Sequence, residues 1–148
     1  MASTHELVER WFAQTIESYP DLSAGFLASE RDPFRNPAGH ALRSGMSAIM
    51  EELLGNWDTE KIAAALDPII RLRAVQDFTP SQAVGFVFLL RPILLATSLA
   101  PPATIEARID QLALITFDHY MKCREQIAEV RANEVQRRIR LRPVLRSQ

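Results

Sequence analysis

The chain has few of the residues on which several protein classes depend. Its single cysteine, Cys123, excludes an internal disulfide and a zinc site built from several cysteines. Its five glycines occur singly, so the sequence has no glycine-rich phosphate loop and too few glycines for a fold built from tight β-turns. Its three histidines accompany no nucleophile-elbow sequence. We therefore expect no catalytic residues, no metal centre and no enzyme activity.

The residues that are present are typical of one folded domain. The chain has 148 residues, of which 47% are hydrophobic and 24% are charged. Charged side chains interrupt the first twenty residues, so they do not form a signal peptide. The apolar stretch 83–100 contains Arg91 and Pro92 and barely reaches the roughly 20 residues of a membrane span, so we favour a buried helix. We expect a cytoplasmic protein that does not bind membranes.

Apolar residues recur at three- and four-residue spacing, and no run of strand length alternates with period two. The sequence therefore predicts an all-α fold: a single helical domain of about six helices with a long C-terminal helix. The first predicted segments are a helix capped by Ser3 that ends at Tyr19-Pro20, a short helix after Asp21, and a loop over 31–37 in which Phe34 anchors the chain in the core. A helix over about 38–54 follows, and further helices are predicted to start at Asp58 or Thr59 and at Asp67-Pro68. The last two segments are a buried central helix from Thr79-Pro80 with a kink at Pro92, and a final helix from Thr104 toward Arg140.

The last helix carries a heptad-like apolar seam, which favours pairing with a second copy. The seam consists of Ile105, Ile109, Leu112, Thr116, Tyr120, Cys123, Ile127 and Val130. A helix of this length is hard to bury within one small domain, so we expect a homodimer.

Charge divides the chain into two parts. Residues 122–148 hold eight basic and three acidic side chains, a net charge of +5, whereas residues 1–121 have a net charge of −6. We interpret 1–121 as a helical domain and 122–148 as an arginine-rich helical extension continuous with the last helix. No aromatic residue follows Tyr120, so base stacking is not available there. A solvated helix, or one that binds an acidic partner, is favoured over a nucleic-acid contact.

His119 is the one candidate for binding a cofactor. It lies four residues before Cys123 on the last helix, so both side chains could face one ligand. A histidine that lines an apolar interior is also what a haem site needs. The alternative, which we favour, is a partly exposed histidine beside a small core thiol, with no cofactor. His40 has no partner at an obvious spacing, and we interpret it in the same way.

Two polar stretches carry a resemblance to a known family. They are Asp32-Pro33-Phe34-Arg35-Asn36-Pro37 and the long block Ile70-Arg71-Leu72-Arg73-Ala74-Val75-Gln76-Asp77-Phe78-Thr79-Pro80-Ser81-Gln82-Ala83-Val84. Together with Trp11, Ser18-Tyr19-Pro20 and Phe86-Val87-Phe88, they resemble the N-terminal domain of RsbRD-type RsbT co-antagonist proteins over roughly residues 7–120.

The resemblance implies a bacterial signalling module, of the kind that regulates stress responses, with no catalytic residues to transfer. Related proteins join a sensory domain, in some cases globin-like without haem, to a C-terminal STAS domain that a partner kinase binds and phosphorylates. The sequence contains no STAS domain after its last helix, so we expect a stand-alone sensory or dimerisation module. A STAS-domain protein or a kinase is the partner implied. The alternative is a globin-like sensor that binds haem or a small molecule between the central helix and His119.

Within the long block, five polar residues are the candidates for an interaction site: Arg71, Arg73, Gln76, Asp77 and Gln82. They form either a cluster that binds a ligand or partner, or a structural turn in which Asp77 pairs with Arg73 and stops one helix before Thr79 starts the next. We favour the structural interpretation, because turns of this kind need such residues in any case.

Overall fold

The computed structural model describes residues 3–17 and 35–146, with side chains up to Leu141. The helices of these segments are α1 (Thr4–Ile16), α2 (Pro37–Leu54), α3 (Thr59–Val75), α4 (Pro80–Val84), α5 (Leu90–Leu95) and α6 (Pro102–Arg146), with a 3₁₀ turn over Gly85–Val87. These segments contain no strand, so the prediction of a single all-α domain with a long C-terminal helix is confirmed. The predicted short helix after Asp21 and the predicted anchor Phe34 lie outside the described residues.

Side-chain caps start α1, α3 and α4 at the predicted places. The Ser3 hydroxyl accepts a hydrogen bond from the Glu6 amide at 3.2 Å, and the Asp58 carboxylate accepts from the first amides of α3. At α4 the Thr79 hydroxyl accepts from the Gln82 amide while the Gln82 side chain accepts from the Thr79 amide. This reciprocal pair is the capping box that the sequence predicts.

Helix α3 is one continuous helix, so the predicted new start at Asp67-Pro68 is wrong. Pro68 lies inside the helix and removes one backbone hydrogen bond. Buried apolar side chains on both sides of it hold the two halves against the same core: Ile62, Leu66, Ile69, Ile70 and Ala74. The burial of this shared face outweighs the local effect of the proline, and Asp67 is left free to form other contacts.

The central segment is buried in part and is not one helix: Val84, Phe86, Val87 and Leu90 are buried, as predicted, whereas Phe88 is 51% exposed. Helix α4 ends at Val84, and the 3₁₀ turn separates it from α5. In that turn the carbonyl of Phe86 accepts a hydrogen bond from the indole of Trp11 at 2.7 Å, and the two rings stack. Pro92 falls in the first turn of α5, where a missing amide donor costs nothing, so a new helix begins there instead of a kink. In the described part of the chain, no helix has both the length and the apolarity to cross a membrane.

Helix α6 starts at Pro102 instead of Thr104 and extends to Arg146 instead of Arg140. Its 45 residues span about 67 Å at about 1.5 Å per residue. The predicted seam is buried in the chain's own core from Ile105 to Cys123, mainly against α3, α4 and α5. The prediction that this seam pairs with a second copy is therefore wrong from Ile105 to Cys123, because these side chains pack in the core, whereas Val130 at the end of the seam is 67% exposed. After the half-buried Ile127, nearly all described side chains are exposed.

Two arginines of α6 bind the C-terminal ends of other helices. Arg108 donates to the carbonyls of Leu53 and Gly55, at 2.7 and 3.0 Å, where α2 ends. Arg124 donates at 2.8 Å to the carbonyl of Ala74, where α3 ends. Helix C-termini carry carbonyls without intrahelical partners and a partial negative charge, so both cations stabilise them.

Candidate functional site: the groove between α3 and α6

Three polar side chains meet where α3 and α6 pack together. Arg71 donates from Nε to both carboxylate oxygens of Asp67, one turn before it on α3, at 2.9 Å each. His119 of α6 places Nε2 at 2.9 Å from Oδ1 of the same carboxylate. An ionised carboxylate only accepts hydrogen bonds, so Nε2 carries the proton in this contact. We call Asp67, Arg71 and His119 the ionic triad.

The triad changes the acidity of its members. Burial on its own raises the pKa of Asp67, but the hydrogen bonds from Arg71 and His119 outweigh burial and hold that pKa below its ordinary value. The same contact raises the pKa of Arg71. Asp67 is therefore ionised at neutral pH and binds α3 to α6 as a charged group.

An open groove lies beside the triad, and we call it the α3–α6 groove. It has a volume of about 380 Å³ and is lined by Arg71, Val75, Cys123, Gln126, Ile127 and Val130. Of these residues, Val75 and Val130 are 64% and 67% exposed. Cys123 is buried at its base, and burial raises the pKa of its thiol. Because the thiolate is the nucleophilic form, this cysteine is poorly suited to covalent catalysis.

The structure places His119 against α3 and not against the central segment. Its Nε2, the atom that would bind an axial metal, is occupied by Asp67. The position therefore gives no support to a haem pocket between the central helix and His119. Among the residues that the structure describes, no group of three or more histidine, cysteine or acidic side chains is placed to hold a metal ion.

The five polar residues predicted as an interaction cluster do not form one site. Arg73 is buried and donates to the carbonyl of Ala83 at 2.9 Å. The exposed Asp77 accepts from Arg124 at 2.8 Å and not from Arg73, so the predicted Arg73–Asp77 pair is wrong. The reason is geometric: Arg73 points into the core, whereas Asp77 stands at the surface beside α6.

The remaining three members have separate environments. Gln82 belongs to the capping box of α4, and Gln76 ends α3 with an exposed side chain. Arg71 belongs to the ionic triad. Gln76, Asp77 and Gln82 thus belong to helix ends and turns, whereas Arg73 is part of the core and Arg71 is part of the ionic triad.

Comparison with known families adds to this geometry. A family model described as "RsbT co-antagonist protein rsbRD N-terminal domain" matches residues 5–135. The chain belongs to this family. No curated protein and no solved structure matches it significantly. The globin-like arrangement thus stays a prediction. The match to the RsbT co-antagonist family includes the ionic triad, the α3–α6 groove and α6 as far as Val135.

A second groove of this family member lies between α2 and α3. It has a volume of about 310 Å³ and small side chains line most of it: Ala41, Ser44, Gly45, Ala48, Ala64 and Ala65, with His40 and Pro68. Gly45 lets the two helices approach closely, because a Cβ there would lie 2.6 Å from Cδ1 of Ile69. His40 is exposed. The small side chains that let α2 and α3 pack closely also leave this groove between them.

Sequence reasoning missed Asp67 as a site residue. It assigned this residue to a helix cap, because proline follows it. The four-residue spacing between Asp67 and Arg71 is the signal that was available, since acidic and basic side chains at this distance pair on a helix surface. The partner on α6, His119, is 52 residues away. No local pattern gives that contact.

Proposed function

We propose that this chain is a non-enzymatic signalling module that acts through protein–protein contacts and self-associates. The observation that carries the proposal is the continuation of α6 beyond the body. After the half-buried Ile127, the helix extends 19 residues to Arg146, or about 28 Å. We call residues 128–146 the arm. Its large apolar side chains with described exposure, Val130, Val135, Ile139 and Leu141, are 54–67% exposed, which favours a partner that covers them.

The distribution of polar contacts supports a module without catalysis. His119 and Cys123 share one face of α6. The imidazole of His119 is hydrogen-bonded to Asp67, and burial raises the pKa of the Cys123 thiol. A nucleophile needs an adjacent base that is free to take its proton. The contacts of these two side chains instead stabilise the packing of α3 on α6.

The family description supports a proposal for the class of partner. Because the family is that of the N-terminal domain of an RsbT co-antagonist protein, we propose a STAS-domain protein or a kinase of that signalling system as the partner. The net charge of +5 over residues 122–148 suits an acidic surface on such a protein.

The test uses the full chain at 1 to about 100 μM, a range that spans typical weak association. Light scattering after size-exclusion chromatography measures its mass, and calorimetry measures binding to purified STAS-domain proteins and kinases from the same genome. We expect a dimer, and binding to at least one of these proteins. A monomer at every concentration that binds none of them would overturn the proposal.

A small-molecule sensor is the second candidate, favoured by the α3–α6 groove. Its volume of about 380 Å³ lies in the range of ligand sites, about 300–1,000 Å³. Native mass spectrometry of the purified protein would detect a retained ligand, and a Soret band would detect haem. A ligand retained by the wild type and lost on Val130→Trp, which fills the groove, would favour this candidate. Asn133→Trp, at an exposed position of α6 outside the groove, is the matched control.

A further inference from the structure

Helix α6 carries a second apolar face that its own body leaves exposed. Leu114, Phe117, Met121, Val135 and Ile139 are 67%, 43%, 37%, 54% and 57% exposed. Exposed alanines at 128 and 132 continue the same face between them. The steps of three and four residues keep these positions on one side of the helix. We call these seven residues the exposed stripe.

The exposed stripe is separate from the buried seam. Leu114 is five residues after the buried Ile109, so the two side chains point about 140° apart around the helix, at about 100° per residue. Leu141 and Val130 lie on the side of the seam and not on the stripe. The body therefore covers one face of α6 and leaves a parallel row of apolar side chains in solvent.

The order of residues along the stripe is nearly symmetric about a point between Gln126 and Ile127. Leu114 and Ile139 are equally far from it, Met121 and Ala132 are also equally far, and Phe117 and Val135 differ by one residue. Two copies of α6 that run in opposite directions about this point place Leu114 opposite Ile139, and Phe117 opposite Val135. Large side chains at each end and alanines near the centre give a self-complementary surface, as a two-fold interface requires.

The charges of α6 favour the same direction of pairing. Residues 102–121 hold three acidic side chains and one arginine, a net charge of −2, whereas residues 122–148 have a net charge of +5. Parallel pairing would place the two positive ends side by side. Antiparallel pairing about this point separates the two positive arms, because each arm then lies along residues 107–125 of the other helix, which hold three basic and three acidic side chains, and beside a body of net charge −6.

The length of the arm also fits. In this register the arm of one copy, residues 128–146, lies along residues 107–125 of the other, so 19 residues face 19. Because the bodies are built on residues before Ile127, they lie at opposite ends of the pair. We propose that two copies of this chain associate by antiparallel pairing of their α6 helices along the exposed stripe, around Gln126 and Ile127. This inference rests on the proposed function and specifies its self-association.

Cysteine cross-linking tests the direction of pairing. Leu114→Cys and Ile139→Cys are made in separate full-length proteins, which are mixed under mild oxidation. We expect disulfide-linked dimers in the mixture of the two variants and in neither variant by itself. Two copies of residue 139 in an antiparallel pair would be 25 residues apart along the axis, about 37 Å. The wild type, with its buried Cys123, is the control. If the Ile139→Cys protein formed disulfide-linked dimers with itself, as parallel pairing requires, the inference would be overturned.

A matched pair of variants tests the face. Ile139 and Leu141 are 57% and 56% exposed and two residues apart, but only Ile139 belongs to the stripe. Since a two-fold interface contains the change twice, we expect Ile139→Glu to weaken dimerisation by at least about tenfold and Leu141→Glu by less than about threefold. Equal effects of the two variants would contradict the proposed face.

The outcomes also separate this inference from the proposed function. A dimer that cross-links in parallel would refute the antiparallel arrangement and leave self-association intact. A monomer that binds a STAS-domain protein would refute the inference, while the proposed role in protein–protein contacts would stand.

Discussion

Arg73 and Ala83 connect the end of α3 to α4 inside the core: the guanidinium Nη1 donates to the Ala83 carbonyl at 2.9 Å. The side chain of Arg73 is fully buried, and its guanidinium lies 4.5 Å from the centre of the Phe86 ring. Ala83 lies in the last turn of α4, where carbonyls need donors from outside the helix. A buried cation thus stabilises α4, which at five residues is too short to be stable by itself.

We expect Arg73→Met to lower the free energy of unfolding by about 2–4 kcal/mol, because it removes a buried charged donor and leaves its acceptors without it. Methionine keeps most of the apolar stem. Urea titration followed by circular dichroism measures the change. Arg71→Met is the matched control, two residues away on the surface in an exposed ion pair, and should lower the free energy of unfolding far less than Arg73→Met. Similar losses in both variants would contradict the role assigned to Arg73.

The burial of Arg73 was accessible from the sequence in one respect only. Ile62, Leu66 and Ile69 define the inner face of α3, and position 73 continues their spacing. Its charge instead placed it in a polar cluster. No local sequence pattern describes the carbonyls and aromatic rings that surround the guanidinium. That environment comes from residues of α4 and the following turn.

Local signals predicted the helix starts and failed where tertiary packing outweighed them. Ser3, Asp58 and Thr79 act through neighbouring amides, so short-range rules describe them well. Pro68 illustrates the opposite case, since core burial on both sides keeps α3 continuous. In α6 the periodicity showed an apolar seam, but periodicity does not reveal whether a seam faces its own core or a second copy. The contact of Asp67 with His119 depends on the same missing information.

The ionic triad predicts a pH-dependent contribution to stability. The folded-state pKa of Asp67 lies below the unfolded value, so its ionised form stabilises the fold above about pH 4, and this contribution is lost as pH falls through the folded pKa. The carboxylate is 38% exposed, so solvent screening reduces the free energy that its ion pairs contribute to stability. We expect Asp67→Asn to cost about 0.5–1 kcal/mol at pH 7 and progressively less as the pH falls below about 4.

Denaturant titrations of the wild type and Asp67→Asn at several pH values measure this difference. Asp118→Asn, an exposed substitution on the same helix as His119, is the control and should show a small effect at every pH. A constant difference between the wild type and Asp67→Asn from pH 7 to pH 2 would mean that the charge of Asp67 does not stabilise the fold.

Close packing of α2 on α3 predicts that Gly45→Ala destabilises the protein. The new Cβ would lie 2.6 Å from Cδ1 of Ile69 and 2.8 Å from the backbone oxygen of Ala65. Overpacking costs about 1–3 kcal/mol, which exceeds the gain of about 1 kcal/mol from replacing glycine in a helix. Gly85→Ala is the matched control, because no atom lies within 4 Å of its Cβ position. Thermal melts should show a lower Tm for Gly45→Ala and an unchanged or higher Tm for Gly85→Ala.

Deleting residues 131–148 tests whether the arm belongs to the fold or to an interface. Their described side chains are exposed apart from the half-buried Glu134, and the last buried side chain of α6 is Cys123. At low micromolar concentration we expect the Tm of the truncated chain to stay within about 2 °C of that of the wild type, because the core is intact. Dimers should be lost, and with them the rise in Tm with protein concentration that association causes. Val135→Ser with Ile139→Ser in the full chain should reproduce this loss, since these two residues are the arm's large apolar side chains on the exposed stripe. A large fall in Tm with the oligomeric state unaltered would show instead that the arm packs against its own body.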